Sequence, residues 1–189
     1  MAKFEISYKI TYDKEGGYVN HPDDKGGETI FGISRKYHPT WGGWQMVDQA
    51  KWFCTEKEGS KAWDIELTNH CKANEGIVRL KLDFFKTLFW NPLQLDLITS
   101  QKIANALFDA SVNHDPKDAA KMAQKALKIK EDGIVGNQTI SALNSASEWS
   151  FLNAFCSARK EYYYNLVKKD PSQQVFLNGW IARAESFKG

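Results

Sequence analysis

Residues 15–34, EGGYVNHPDDKGGETIFGIS, constrain the fold of this 189-residue chain more than any other stretch. Gly16-Gly17 and Gly26-Gly27 flank Pro22, Asp23 and Asp24, a composition that stops any helical pattern and folds the backbone back over a few residues. Glu28 to Ile33 is short and apolar enough for a strand or hairpin arm, so a small β-hairpin is expected. Before this stretch, Phe4, Tyr8 and Tyr12 recur at helical spacing with Ile6 and Ile10 on a neighbouring stripe, which predicts a helix over 3–14 that ends at Gly16-Gly17. Glu15 then falls in its last turn, where the negative end of the helix dipole disfavours a carboxylate charge and raises the pKa. A carboxylic acid protonated near neutral pH is what a general acid requires.

The remainder reads as mainly helical. A short helix is expected from Ile33 to Tyr37, stopping before Pro39. Trp41, Gly42, Gly43 and Trp44 form a loop whose rings either make a sugar platform or anchor the loop on the core. Helices follow over Met46–Glu58 and Asn69–Trp90, the second apolar on so much of its girth that it is expected to be the central buried helix. Ser100 caps a helix over Gln101–Asn113, and Asp115-Pro116 opens another. A loop at Glu131–Gly136 leads to a short helix from Asn137, and two helices separated by Pro171 close the chain. In the helix from Gln101, Asn105, Asp109 and Asn113 stand at i, i+4, i+8 and share one face, which is either a solvated flank or a functional line.

Composition excludes several classes. With 42% hydrophobic and 25% charged residues and a mean hydropathy of −0.51, the chain is an ordinary globular protein rather than a disordered one. A net charge of +2 is too mild to call for nucleic acid, yet it does not repel an anionic polymer such as a cell wall. No apolar run is long enough for a membrane span, and no export signal opens the chain. Cys54, Cys71 and Cys156 are far apart and odd in number, so reduced thiols are expected in place of a disulfide framework or a zinc site. Nucleotide and calcium motifs are missing, and neither a metal nor a cofactor is called for.

Two carboxylates flanking a reversal suit glycosidic cleavage, in which an acid protonates the leaving oxygen while a carboxylate activates water or traps the sugar. Glu15 and Asp24 are placed in that way, although both Asp23 and Asp24 are also turn formers. Tyr18 either packs or walls off and desolvates Glu15. With Thr29 after them, these residues resemble the Glu, Asp, Thr arrangement of phage-type lysozymes, in which the Thr helps to hold the attacking water.

A fuller resemblance is to glycoside hydrolase family 108, the phage endolysins or secretion-activating proteins. It is carried by Glu15-Gly16-Gly17-Tyr18, Pro22-Asp23-Asp24, Gly26-Gly27-x-Thr29 and Gly32-Ile33. Further along, Phe89-Trp90-x-Pro92, Phe108-Asp109-x-x-Val112-Asn113 and Gly179-Trp180-x-x-Arg183 match the family's later motifs. Asp132-Gly133-x-x-Gly136-x-x-Thr139-x-x-Ala142-Leu143 looks like the signature of its C-terminal peptidoglycan-binding region. Residues 40–69 are longer and richer in Trp than the family's usual connection.

The resemblance implies a mainly α, lysozyme-like helical fold with a small β-hairpin next to the catalytic Glu. It implies a catalytic region over 1–95 and a helical peptidoglycan-binding region over 96–189, packed as one compact unit. It further implies N-acetylmuramidase activity, with Glu15, Asp24 and Thr29 catalytic and with Tyr18, Asp109, Asn113 and Trp44 on the substrate. Asp23, Asp24 and Asp109 each remain open as the second carboxylate, and an inverting or a retaining outcome is equally open. The expected partner of a monomeric chain is peptidoglycan glycan strands, with no nucleic acid and no membrane insertion. Synthesis in the cytoplasm and holin-type release to the wall complete the expectation.

Overall fold

The computed structural model describes residues 1–12, 16–20 and 26–189, and in it the chain is mainly α with one small antiparallel sheet. Among the described residues the helices are α1 (Phe4–Tyr12), α2 (Gly43–Lys51), α3 (Lys61–Ala73), α4 (Glu75–Phe85), α5 (Gln101–Asn113), α6 (Pro116–Leu127), α7 (Asn137–Ser145), α8 (Glu148–Lys169) and α9 (Leu177–Glu185). The strands are β1 (Tyr18–Val19), β2 (Thr29–Ile30) and β3 (Ile33–Ser34). Contacts divide the chain into two units, Lys14–Phe85 and Met1–Asp13 with Lys86–Gly189.

In the unit Lys14–Phe85, the expected hairpin is a three-stranded sheet in the order β1-β2-β3. Phe31 and Gly32 have φ of 52° and 77° between paired Ile30 and Ile33, the two-residue turn with positive φ that matches strand twist. This reversal carries Ile33 back onto the sheet, which is why the short helix expected over Ile33–Tyr37 does not form. Tyr18, Ile30 and Ile33 share the buried face, whereas Val19 and Thr29 lie opposite each other on the other face.

The helix expected over Asn69–Trp90 is broken at Asn74, which is extended and turns its Oδ1 to accept a hydrogen bond from the Ile77 amide. A short polar side chain of this kind competes for backbone groups and favours a cap over continued helix. Within α4 only Ile77 and Phe85 are buried, so it is not the central buried helix. Beyond it the backbone widens into a π turn over Lys86–Trp90 before Pro92.

In the unit Met1–Asp13 with Lys86–Gly189, the central helix is α5, buried without a break from Ile103 to Ser111. Ser100 caps it by accepting from the Ile103 amide at 3.2 Å, as expected. Phe4 of α1 packs edge-on against Trp90 and Phe108, both with centroids at 5.6 Å. Because α1 buries Phe4, Ser7, Thr11 and Tyr12, with Phe4 against Phe108 and Ser7 on Asn105 of α5, the stripe of Ile6 and Ile10 is turned to solvent. Asp115 caps α6 by accepting from the Asp118 amide, and Ser147 caps α8.

The loop ahead of α7 is fixed from within. Gln124, itself buried, donates to Asp132 Oδ1 and to the Ile134 carbonyl, and accepts from the Gly133 amide. Asp132 thus shapes the turn, while Gly136, the residue before α7, gives the helix no side-chain cap. All three cysteines are free, with Cys71 and Cys156 buried, and burial pushes the Cys71 thiol up to about 12. No described helix is long and apolar enough to cross a membrane.

Candidate functional site

Glu15, Asp23 and Asp24 lie outside the described residues, and Gly17, Tyr18 and Thr29 are described residues of the same sequence motif. Directly after Gly16, the backbone at Gly17 runs so close to α3 that a Cβ there would meet Thr68 Oγ1 at 2.2 Å and its Cγ2 at 2.7 Å. No side chain fits without displacing Thr68. Glycine at this position therefore serves a close backbone approach, whereas Gly16 has open space around its Cα.

Thr68 uses that proximity. Its hydroxyl accepts from the Tyr18 amide at 2.8 Å and donates to the Asp64 carbonyl at 2.6 Å, which ties β1 to the first turns of α3. Gly17→Ala is expected to cost about 1–3 kcal/mol, because the methyl group forces Thr68 out of both hydrogen bonds. Urea unfolding of Gly17→Ala, Thr68→Ala and the double variant checks this. The double variant should be less destabilised than the sum of the singles, since removing the Thr68 side chain removes the clash.

Tyr18 is 5% exposed, with its ring edge-on to Trp63 at 5.4 Å. Its hydroxyl donates to Glu28 Oε1 at 3.0 Å. Burial, and then the Glu28 charge, push the Tyr18 phenol far above its ordinary range, so it remains a neutral donor at any physiological pH. Glu28 also meets Arg35 at 2.7 Å and Lys51 at 2.5 Å, and Arg35 forks onto Asp48. This ion network holds the sheet to α2. No motif in the sequence marked it, because its members are spread over 28–51 with no fixed spacing.

Thr29 sits on the half-open face of the sheet, and its hydroxyl donates to the Gly27 carbonyl at 3.1 Å. The alternation with fully buried Ile30 turns Thr29 away from the core. Between β1 with Asn20 and the start of α3 lies a cleft of about 190 Å³, lined by Tyr18, Val19, Asn20, Glu58, Trp63 and Asp64.

The other expected substrate contacts, Trp44, Asp109 and Asn113, each have surroundings of their own. Trp44 is 4% exposed, inside α2, with its ring N–H on the His38 carbonyl at 2.8 Å, Trp41 against its edge and the Arg35 guanidinium 4.5 Å from its centroid. It anchors the segment on the core and offers no free face to a sugar. Asp109 is 1% exposed and bridges Arg159 Nη2 at 2.8 Å with Arg183 Nε at 2.9 Å. Both its oxygens are bound by guanidinium groups, so it is neither a second carboxylate nor a sugar ligand but the ionic centre of α5, α8 and α9.

The rest of that polar line is also structural in its inner part. Asn105 is buried, accepting from Ser7 and Gln101, so the line is not a solvated flank; Asn113, at its end, is exposed and donates to the Asp109 carbonyl within the helix. Nearby, His114 meets the Tyr163 hydroxyl at 3.0 Å, and burial, with Arg159 adding, lowers its pKa to about 4.

Comparison with known proteins bears on this geometry. Residues 8–114 match the family model described as Glycosyl hydrolase 108, and residues 118–185 match one described as Predicted Peptidoglycan domain. No curated protein matches. Among solved structures, that of Brucella abortus SagA is similar, with a TM-score of 0.63 and 24% identity over 97% of this chain and 90% of the other, a likeness of fold. The two family matches together support a protein that hydrolyses or binds peptidoglycan, on a mainly α, lysozyme-like fold. Because the first match takes in more than half of the sequence, including the whole stretch from Glu15 to Ser34, the chain belongs to the glycosyl hydrolase 108 family.

Proposed function

We propose that this protein is an N-acetylmuramidase that cleaves the β-1,4 bond between N-acetylmuramic acid and N-acetylglucosamine in peptidoglycan, with Glu15 as general acid. The observation that carries the reading is the family match across residues 8–114, joined to a peptidoglycan domain match over 118–185. The local geometry supports it. Gly17, two positions after Glu15 in the chain, is pressed against Thr68, and Thr68 holds the Tyr18 amide, so the backbone from Gly17 onward is anchored to α3.

In this mechanism Glu15 protonates the glycosidic oxygen as the bond to the anomeric carbon breaks, and charge builds on the ring oxygen and anomeric carbon. Asp24 is the second carboxylate, activating water or trapping the sugar. Thr29 lies on the sheet face that is not packed into the core, and its oxygen keeps lone pairs free to hold that water. Asp109 is absent from this scheme, because its two arginines already take both of its oxygens.

The experiment is identification of the ends released from purified peptidoglycan. Reducing N-acetylmuramic acid ends are the expected product. Anhydro-sugar ends would replace hydrolysis by lytic transglycosylation, which needs only the acid. Binding to the wall without release of fragments would leave the chain as a non-catalytic binder.

A further inference from the structure

The cleft between β1 and the start of α3 contains a carboxylate, that of Asp64, with no partner among the described residues. Among the described residues, no hydrogen bond or ion pair reaches the Asp64 carboxylate, whereas two other carboxylates of the same unit are fully engaged. Glu28 has Tyr18, Arg35 and Lys51, and Asp48 has Arg35 and Lys51. Asp64 is half-buried, and burial alone raises its pKa, as happens when a carboxyl is drawn out of bulk water without compensation.

Its position is also built rather than incidental. The Asp64 carbonyl receives the Thr68 hydroxyl, and that hydroxyl receives the Tyr18 amide, so the residue is registered to β1 by two hydrogen bonds of 2.6 and 2.8 Å. Gly17 makes this registration possible by letting β1 approach α3. The walls beside the carboxylate are aromatic, with Tyr18 and Trp63 in a T-shaped pair. A cleft of about 190 Å³ is smaller than the ~300–1,000 Å³ usual for a whole drug-sized ligand, so it suits one ring of a longer chain.

We propose that this cleft is a saccharide subsite, in which the Asp64 carboxylate accepts hydrogen bonds from a hydroxyl or acetamido N–H group of an N-acetylhexosamine while the Tyr18–Trp63 wall shields the ring from water. This rests on the glycan-cleaving reading above and adds a substrate-binding residue to it. A buried-side acceptor of this kind orients a sugar because a ring that fails to offer a donor leaves the carboxylate unpaired.

The test uses the Glu15→Gln chain as a non-cleaving background and N-acetylglucosamine trisaccharide as the probe, with binding read by calorimetry. Asp64→Ala and Asp64→Asn in that background should weaken binding about tenfold, as expected for a hydrogen bond to a charged group. On purified peptidoglycan, with Glu15 intact, the same changes should raise KM while kcat changes little. Asp64 also lies in the first turn of α3, where an acid favours the helix, so urea midpoints are measured beside affinity. Weakened binding at an unchanged midpoint in the isosteric Asn variant supports the subsite. Equal binding by the Glu15→Gln chain with and without Asp64 overturns it and leaves the glycan reading standing. Failure of the Glu15→Gln chain to bind both the trisaccharide and peptidoglycan, with no cleavage by wild type, sinks the glycan reading and the subsite together.

Discussion

Asp109→Ala is expected to destabilise the protein by about 3–5 kcal/mol, the cost of removing one partner from a buried ion pair. Arg159 is fully buried and Asp109 nearly so, and Arg183 reaches the other oxygen from α9. With the carboxylate gone, the Arg159 charge keeps, among the described residues, the Tyr163 hydroxyl at 3.4 Å and the Phe187 ring, neither of which neutralises it. Asp109→Asn should fall between wild type and Ala, because the amide oxygen can still accept from one guanidinium but carries no charge. A further change of Arg159 to Met in the Asp109→Ala background should recover part of the loss, since the uncompensated charge goes with it. Urea unfolding followed by circular dichroism reads all of these. The opposite pattern, an Asp109→Asn chain as stable as wild type but inactive on peptidoglycan, would make Asp109 a substrate residue after all.

That residue also shows where reading the sequence reached its limit. The helix bearing Asp109 was legible to the residue, because Ser100 caps it and apolar residues at helical spacing follow. Its polar line was legible as a line. What covers that line is set by Arg159 and Arg183, 50 and 74 positions away, and no local pattern carries such pairings. The same holds on the sheet. Gly17 reads as punctuation in the sequence, yet its requirement comes from Thr68, brought against it by α3. Helix periodicity failed where a single side chain overrode it, as at Asn74, and where positive φ at Phe31 and Gly32 reversed the chain. At Trp44 the sequence left a sugar platform and a core anchor both open, because a Trp beside two glycines does not show which groups take its N–H and its faces. Asp64 gave no signal at all, since an acid in the first turn of a helix is ordinary, and it is distinguished by lying in a cleft with no partner among the described residues.

Glu15→Gln is expected to lower the rate of peptidoglycan cleavage by at least about 10²-fold, the low end of what a positioned general acid contributes. Glutamine preserves the shape and a hydrogen bond to the glycosidic oxygen but has no proton to give, so the leaving sugar must depart as an alkoxide. Stability should be nearly unchanged, which separates this variant from Asp109→Ala, whose activity falls only as the folded fraction falls. Wall binding should also persist, because the match to a peptidoglycan domain lies over 118–185, away from residue 15 in the chain. Asp24→Asn should lower the rate as well in a hydrolase that uses a second carboxylate, whereas a transglycosylase tolerates it and yields anhydro ends. The three measurements of rate, urea midpoint and wall binding, taken on each variant, therefore separate proton donation from folding and from adhesion. A Glu15→Gln chain that clears peptidoglycan at the wild-type rate would end the assignment of the acid and leave the membership of the glycosyl hydrolase 108 family untouched, since that rests on the whole of residues 8–114.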